Sequence, residues 1–431
     1  MIIPEKIPKD KLFDETVLDN ESLWTTNFVH DPAIIKDGNW YYVFSTDAQF
    51  GQTDKAGIQI RKSQDLMNWQ WVGRALDDVP KDAEEWTGAK GLWAPEIVKY
   101  GNTYYMYYAA SQFGKTQSFI GVATSDTIEG PYTDLGEVFK SRQDEEGPNA
   151  IDANICFDKD EEPWMVYGSF FGGLYVNKIN QETGKLLKYG RGKLIAKRHE
   201  SVERAIEGPY IVYNPEFDYY YLFVSYDSLF SDYNIRVARS KSIEGPYLDF
   251  HDNDMTNTTL PPNDVGLKLL GGYKFNAGDG WVAPGHNSVL KDNDDYYVCH
   301  HVRAEKNKRW HYLHIRKIIW TKDGWPLISP ERFAGEQDVT VNMADSIGEW
   351  ELIRVDKNEN EQNHALKLKI QDDNHENYWI DLSDNYVTLV MKNKEVTGVI
   401  SECWDWEKEQ KSYVFMGKDL YGTVYLAKKI G

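Results

Sequence analysis

Cysteine is scarce in this chain, and the three cysteines that it contains form no recognisable site. Cys156, Cys299 and Cys403 lie far apart, so none of the short spacings that hold zinc or carry redox chemistry occurs. Cys156 and Cys299 fall inside apolar stretches, where a buried thiol behaves as a small hydrophobic side chain. The sequence therefore predicts neither a disulfide framework nor a cysteine metal or redox site.

Positive charge is also in deficit, and long apolar runs are missing. The 431 residues include 48 Lys and Arg against 68 Asp and Glu, which gives a net charge of −20 at pH 7. This balance favours solubility and argues against nucleic acid as a partner. No stretch approaches a membrane helix in length, and residues 1–10 lack the apolar run of a signal peptide. We expect a soluble monomer with no membrane partner, cytoplasmic as the sequence stands and secreted if a leader was removed.

Helical periodicity is nearly absent, whereas aromatic residues are abundant. Aromatics make up 14% of the chain, with 28 Tyr and 15 Trp, and flat rings suit pleated strands. One pattern recurs: a polar residue, an apolar strand, a turn, then an aromatic or β-branched strand. It occurs at residues 31–45, 94–108, 152–167, 207–224 and 286–299.

Each of these repeats is followed by a second half, so that one unit holds about four strands, the make-up of a propeller blade. The sequence therefore predicts an all-β protein whose residues 1–335 form a five-bladed β-propeller. After Gly335 the repeat stops and plain alternation takes over, as in residues 365–370 and 386–390. We expect residues 336–431 to form a smaller C-terminal β-barrel or β-sandwich domain.

The opening position of each unit is where we expect the chemistry. Aligned on the hydrophobic residue three places on, this position holds Asp31, Ala94, Asp152, Glu207 and His286. The first strand of a blade lines the propeller axis, so three carboxyl groups converge there, and their mutual repulsion must split their ionisation. Such a split supplies the general acid and the general base of glycoside hydrolysis. The alternative is that each polar residue merely caps its strand.

Two other glutamates have the same local sequence as the fourth opening position. The string Ile-Glu-Gly-Pro-Tyr occurs three times, with Glu129, Glu207 and Glu244 as its acids. Glu129 and Glu244 follow a strand ending in serine and sit in a turn, whereas Glu207 opens an inner strand. We therefore expect only Glu207 to face the axis.

Further candidates for contacts with a sugar come from the same loops. Trp93 and Phe113 offer apolar platforms for sugar faces, or else ordinary packing. The run Gly168-Ser169-Phe170 lets a substrate approach the backbone closely. His286 either helps to hold a central ion or is a satisfied core histidine.

Four segments resemble the blade-opening motifs of glycoside hydrolase family 43. They are His30-Asp31-Pro32, Trp93-Ala94-Pro95-Glu96, Ile151-Asp152-Ala153-Asn154 and Glu207-Gly208-Pro209-Tyr210. Residues 88–95, 168–170 and 284–288 resemble the endo-α-1,5-L-arabinanases of that family. The resemblance covers about residues 28–335 and extends loosely to the tail, because some members carry a C-terminal β domain.

This resemblance implies an inverting hydrolase that cuts arabinan or arabino-oligosaccharides. It implies Asp31 as general base, Glu207 as general acid, and Asp152 as the residue that raises the pKa of the acid. The base and acid carboxyls should then lie roughly 6.5–9.5 Å apart. It also implies a calcium ion at the axis, held mostly by water near His286. Together with the platforms named above, we expect sugar contacts at His30, Trp93, Phe113, Asn154, Ser169 and Phe170.

Three other functions share parts of this pattern. An exo-acting β-xylosidase or α-L-arabinofuranosidase of the same family would use the same three acids. A retaining fructan hydrolase is disfavoured because its Trp-Met-Asn-Asp-Pro-Asn opening is absent. A sugar-binding propeller without catalysis would not need three acids at one position of the repeat.

Overall fold

The chain is described by a computed structural model in which β-strands account for almost all regular structure. It describes residues 7–431 except 10, 49–54, 338, 360, 372–377, 384 and 392–393. Within this part of the chain there are two short α-helices, α1 Lys81–Thr87 and α2 Met343–Ser346, and four 3₁₀ turns. No helix among the described residues is long and apolar enough to cross a membrane. The all-β expectation is confirmed.

The strands form six sheets, numbered here in chain order. Sheets 1 and 2 each have four strands, with successive strands as neighbours. Their strands are β1 Ala33–Asp37, β2 Trp40–Ser45, β3 Gln59–Ser63, β4 Gln70–Arg74, β5 Trp93–Tyr100, β6 Thr103–Ala110, β7 Ser118–Ser125 and β8 Thr133–Ser141. Sheet 3 contains β9 Asn154–Phe157, β10 Pro163–Tyr167, β11 Leu174–Asn180, β12 Lys185–Leu186 and β13 Lys193–Ala196, the last two both pairing with β11.

Sheets 4 and 5 continue the series. Sheet 4 contains β14 Ile206–Asn214, β15 Tyr219–Tyr226, β16 Asn234–Ser240 and β17 Leu267–Leu270. Sheet 5 contains β18 Tyr273–Lys274, β19 Trp281–Asp292, β20 Asp295–Ala304, β21 Asn307–Trp320 and β22 Pro326–Ile328. All strand pairs within sheets 1 to 5 named so far are antiparallel.

The inner strands of sheets 1 to 5 contact one another in a closed cycle. β1 contacts β5, β5 contacts β9, β9 contacts β14, β14 contacts β19, and β19 returns to β1. The Ser288 hydroxyl donates to the Pro32 carbonyl at 2.7 Å across the last of these junctions. The start of the chain adds a second tie, because the backbone N–H of Phe28 donates to the His311 carbonyl of β21 at 3.0 Å. The cycle brings the opening residues of all five sheets together.

Where each inner strand meets the axis, one residue adopts the left-handed backbone region. These residues have φ between 38° and 60°: Asp31, Ala94, Asp152, Gly208 and His286. For a residue other than glycine this conformation costs roughly 1–2 kcal/mol. Four of the five residues are not glycine, and their local sequences differ, so the fold itself imposes the conformation at this point. The antiparallel register shifts here in sheets 2, 4 and 5, so the backbone bends where it meets the axis.

This backbone feature corrects the predicted alignment of sheet 4. The residue equivalent to Asp31 is Gly208, and Glu207 precedes it by one position. The register shift of β14 accordingly falls between Glu207 and Tyr210, just as that of β5 falls between Trp93 and Glu96. Glu207 is therefore the counterpart of Trp93, and it approaches the axis from a different position of the repeat than Asp31 and Asp152 do.

Sheet 6 belongs to the C-terminal part of the chain. Its strands are β23 Gly348–Val355, β25 Leu366–Ile370, β26 Tyr378–Ser383, β27 Tyr386–Met391, β28 Lys394–Asp405, β29 Gln410–Asp419 and β30 Val424–Lys429, in the spatial order β25-β23-β30-β29-β28-β27-β26. Alternate residues of the sheet face two different hydrophobic cores. Trp350, Leu352 and Phe415 line the first, which belongs to the sheet itself. One sheet that curves around its own core, with β25 and β26 as its edges, fits a half-barrel, whereas a sandwich would need two sheets.

The other face of sheet 6 packs against sheets 4 and 5. Ile353, Val414 and Leu426 share a continuous hydrophobic core with Leu269 and Trp325. The short strand β24 Asn363–His364 pairs in parallel with β18 and so extends sheet 5 with C-terminal residues. The predicted division at residue 335 stays a prediction, but the two parts are joined by a buried apolar interface rather than by a loose linker.

One buried lysine holds three acids at this interface. The Lys428 ammonium lies 2.7 Å from Glu331 Oε1 and 3.1 Å from Asp405 Oδ1, and it also contacts Glu407. Burial raises the pKa of Glu331 to about 8, the charge of Glu407 adds to this, and Lys428 opposes it. Lys428 thus serves as the counter-ion of a buried acidic cluster.

We expect Lys428→Met to lower the free energy of unfolding by about 3–5 kcal/mol, because the buried acids lose their cation. The change should appear as a lower urea midpoint. The control is Lys411→Met, since Lys411 is an exposed lysine on the neighbouring strand β29, and we expect its effect to stay within about 0.5 kcal/mol. Equal midpoints for the two variants would contradict the role given to Lys428.

Candidate active site

A cavity of about 1030 Å³ lies where the inner strands meet. Its wall includes nine of the ten residues that the sequence singled out. They are His30, Asp31, Trp93, Phe113, Asp152, Ser169, Phe170, Glu207 and His286. The closed cycle of sheets therefore does bring residues from all five repeats to one place, as the alignment of the repeats predicts.

Asp31 is held by donors on both carboxylate oxygens. Its Oδ1 lies 2.8 Å from His30 Nδ1 and 3.1 Å from His286 Nδ1, and its Oδ2 accepts a hydrogen bond of 2.6 Å from the Thr46 hydroxyl. Burial alone would raise the pKa of Asp31, but His30 and His286 outweigh it, so this pKa lies well below its usual range. Asp31 is therefore ionised across the range in which proteins work.

Glu207 has the opposite bias. Its carboxyl accepts hydrogen bonds from the Ser169 hydroxyl at 2.7 Å and from the Tyr233 hydroxyl at 2.8 Å. Burial raises its pKa, Ser169 and His286 oppose the rise, and the charge of Asp31 adds to it. The net direction is upward, so Glu207 retains a proton at a higher pH than an exposed glutamate does.

Asp152 and His286 complete the charged centre. Burial raises the pKa of Asp152, His286 opposes this, and Glu207 and Asp31 reinforce it, while the backbone N–H of Gly208 donates to Oδ2 at 3.2 Å. Burial lowers the pKa of His286, but the charges of Asp31 and Asp152 outweigh it and raise that pKa to about 9. The centre thus holds one fixed anion, one cation and two acids that resist ionisation.

The apolar candidates stand around the mouth of the cavity. Trp93 is half-buried, and Phe113 is 75% exposed. The Phe113 ring lies 6.0 Å from that of Phe230, which is 53% exposed and comes from the loop after β15. A sugar-binding groove needs aromatic rings for apolar contacts with the sugar and polar groups that orient it, and this cavity offers both.

Two predicted sugar contacts receive other roles from the structure. Asn154 is buried and is absent from the cavity wall: its amide donates to Glu96 Oε2 at 3.1 Å and accepts from the Ile211 N–H at 2.9 Å. It therefore ties β9 to its two neighbours, which corrects the predicted sugar contact. Ser169 does line the cavity, but its hydroxyl is engaged by Glu207.

Sequence reasoning missed three residues that touch the acids and a fourth, Arg303, that touches His30. Thr46 and Tyr233 donate to Asp31 and Glu207 respectively, His301 accepts from the Asp31 N–H at 3.3 Å, and Arg303 contacts His30. Thr46 and His301 lie at or near the ends of second strands, where Ser169 and Ser225 also stand in their own repeats. This recurrence of polar residues was a signal that could have found Thr46 and His301.

The two glutamates that share the local sequence of Glu207 lie away from this centre. Glu129 pairs with Lys62 at 2.7 Å and accepts a bond from the Tyr42 hydroxyl, while Glu244 is exposed in its turn. Neither belongs to the cavity wall. Their predicted assignment to turns agrees with these positions.

The surroundings of His286 fit a hard cation that keeps most of its water. Electrostatic interactions join His286 to four acids, the buried Glu96 and Asp152 and the largely buried Asp31 and Glu207. The side chain of the next residue, Asn287, is buried, and neither its oxygen nor its nitrogen has a hydrogen-bond partner among the described residues. An excess of buried acid beside an unpaired amide suits calcium, which prefers oxygen ligands and water.

Comparison with known proteins links this geometry to a family. Residues 25–326 match the model of the glycosyl hydrolases family 43, and residues 330–426 match that of a C-terminal lipocalin-like domain. An extracellular endo-α-(1→5)-L-arabinanase of Thermotoga petrophila is 34% identical, over 90% of either chain. A crystal structure of endo-1,5-α-L-arabinanase from that organism superposes with a TM-score of 0.84 at 31% identity, covering 94% of this chain and 99% of the other. An extracellular exo-α-(1→5)-L-arabinofuranosidase of Cellvibrio japonicus is 34% identical over 70% of this chain and 86% of its own.

Proposed function

The chain belongs to family 43 of the glycosyl hydrolases, and on that premise we propose that it cuts arabinan with Asp31 as general base and Glu207 as general acid. The protein is a glycoside hydrolase that cleaves α-1,5-linked L-arabinofuranosyl bonds with inversion. The observation that carries the assignment of residues is the opposite bias of two carboxyl groups in one cavity. The pKa of Asp31 is held low, and the pKa of Glu207 is raised.

The base step follows from the bonds of Asp31. Its carboxylate keeps lone pairs free beyond those used by His30, His286 and Thr46, since two oxygens offer about four acceptor positions. An ionised carboxylate held in one orientation can take a proton from a water that attacks the anomeric carbon. Inversion requires that this water stand between the base and the sugar, which is why we expect a separation of roughly 6.5–9.5 Å from the acid.

The acid step follows from the burial of Glu207. Its raised pKa keeps a proton on the carboxyl group, which can be donated to the departing glycosidic oxygen. Ser169 and Tyr233 orient the carboxyl through one oxygen each. The charge of Glu207 also raises the pKa of Asp152, because two neighbouring carboxylates repel each other. The pair therefore loses its second proton only above the usual pH range of carboxyl groups.

Internal cleavage of a polymer agrees with the shape of the site. The cavity is large for one pentose, and the exposed ring of Phe113 extends its wall towards solvent. Two relatives that align over nine-tenths of this chain are named for endo action, and among those that align with 70% of it one is named for exo and another for endo action. The exo-acting β-xylosidase or arabinofuranosidase alternative is therefore not favoured.

We also infer that sheets 1 to 5 are the five blades of a propeller and that sheet 6 forms a separate C-terminal domain. The closed cycle of inner strands supports the count of five, because each contacts two others and the last returns to the first. The two family models meet between residues 326 and 330, close to the proposed boundary at 335.

A calcium ion at the axis remains part of the proposal. His286, as the neutral imidazole that a ligand must be, and Asn287 would hold it together with water, and the charge of the ion would then replace that of protonated His286 among the acids. Removal of the ion would leave more negative charge buried. The chain's own residues carry out both proton transfers.

Debranched linear arabinan should yield a mixture of oligosaccharides early in the reaction, because internal bonds are accessible to an open site. Chromatography of the products at low conversion measures this, with xylan as the control polymer that should remain intact. Release of arabinose alone from chain ends would replace endo action by exo action.

Asp31→Ala should abolish turnover of every substrate, while Glu207→Ala should depend on the leaving group. Loss of the general acid should slow arabinan cleavage by about 10²–10⁴-fold, and should slow an accepted aryl arabinoside with an activated leaving group far less, because dinitrophenolate needs little protonation. Steady-state rates on both substrates measure the difference. Glu129→Gln and Glu244→Gln are matched controls and should keep nearly full activity. Equal losses of Glu207→Ala on the two substrates would overturn the acid assignment.

Strong chelation should lower the melting temperature as well as the activity, because the buried acids lose their counter-charge, and calcium alone should restore both. Elemental analysis of the untreated protein gives the metal content. An unchanged melting temperature together with no bound metal would remove calcium from the proposal without affecting the roles of the acids.

A further inference from the structure

Arg303 is a buried arginine that contacts both the base assembly and the rim of the cavity. It lies on β20 with 7% exposure, and its guanidinium lines the cavity. Its Nε donates to the Leu229 carbonyl and its Nη1 to the Lys308 carbonyl, both at 2.7 Å. Its Nη2 lies 3.1 Å from His30 Nε2. All three nitrogens of the guanidinium are thus engaged.

The contact with His30 determines which ring nitrogen carries the proton. A guanidinium group only donates hydrogen bonds, so His30 Nε2 must accept and must be unprotonated. The ring proton then lies on Nδ1, which is 2.8 Å from Asp31 Oδ1 and donates to it. The opposite tautomer would turn a lone pair towards the carboxylate and repel it.

The orientation of the His30 ring is fixed by its neighbours as well. His301 stacks on it with ring centroids 3.8 Å apart, and His311 packs edge-on at 5.5 Å. Because packing leaves the ring little freedom to rotate, the choice of tautomer decides whether His30 supports the base. Among the described residues, Arg303 is the donor that makes this choice.

We propose that Arg303 is a positioning residue that acts through His30 to orient the general base Asp31, and that it couples the base to the rim loop of Phe230. This inference rests on the proposed role of Asp31. The coupling arises because the same guanidinium holds the Leu229 carbonyl and lies over the Phe230 ring, at 5.2 Å from its centroid. A sugar that contacts Phe230 can therefore affect the position of Arg303, and through it the orientation of the base.

Arg303→Lys tests the proposal, because lysine keeps the charge but cannot reach three acceptors with a planar fork. We expect kcat to fall by about 10²-fold on arabinan and on an activated aryl arabinoside alike, since activation of water is common to both substrates. KM should rise as the Phe230 loop loses its anchor. A purely structural role would change the melting temperature and KM but would not produce this equal loss of kcat.

The matched control is Arg316→Lys. Arg316 is a buried arginine on the adjacent strand β21 that also contacts two histidines, His300 at 3.0 Å and His314 at 2.9 Å. None of its hydrogen-bond partners lines the cavity. Its substitution should lower the melting temperature while kcat remains near that of the unchanged enzyme.

Two further measurements test the proposal, and the first needs no Arg303 variant, so it applies even if Arg303→Lys folds poorly. Nitrogen-15 NMR of histidine-labelled wild-type enzyme, with His30 assigned from its loss in His30→Gln, should show a proton on Nδ1 and none on Nε2. In a double-mutant cycle, Arg303→Lys should add little further loss of kcat once His30→Ala is present, because both act along one route.

The outcomes separate this inference from the proposed function. Full activity of Asp31→Ala would show that the base itself was wrongly assigned. An inactive Asp31→Ala together with a normal Arg303→Lys, a protonated Nε2 in wild-type His30, or additive losses in the cycle would overturn the role of Arg303 alone.

Discussion

The burial of several carboxyl groups around one histidine is the constraint on which the rest of this site depends. Near the axis Glu96 and Asp152 are buried and Asp31 and Glu207 largely so, and each charge there raises the free-energy cost of the next. Of these acids, Asp31 receives enough hydrogen-bond donors and positive charge to remain an anion. The distribution of donors, more than the identity of the acids, therefore divides them into a base and groups that hold their protons.

The distribution of donors depends on the backbone where each inner strand meets the axis. A left-handed residue recurs at this point in five sheets, and three of the five are Asp31, Asp152 and His286. The bend directs their side chains to a common centre, and the strain is sustained because flanking strands and neighbouring sheets hold both sides of it. In sheet 4 the same position is Gly208, whose absent side chain leaves room for His286: an added Cβ would lie 3.1 Å from its ring. Glu207 can then enter from one residue earlier.

The C-terminal sheet contributes to this arrangement from the outside. It buries apolar residues against sheets 4 and 5, the two sheets that supply Glu207, His286 and Arg303. Arg236 of sheet 4 donates to the Lys357 carbonyl at 2.9 Å, and Lys268 donates to the carbonyls of Asp356 and Glu359. Sheet 6 thus braces the side of the molecule that carries the general acid.

The sequence by itself determined the all-β class, the repeated units, the family and the place of Asp31, Asp152 and Glu207 among several competing acids. These follow from periodicity and from residue types at repeated positions, which are local properties of the chain. It misjudged the register of Glu207 by one residue, gave Asn154 a sugar contact, and passed over Thr46, Tyr233, His301 and Arg303. Only the tertiary structure decided these, because hydrogen bonds between sheets depend on where a side chain ends after the cycle closes. The ionisation of each acid depends on neighbours from other repeats. For the same reason it can be read from the folded structure but not from any one stretch of sequence.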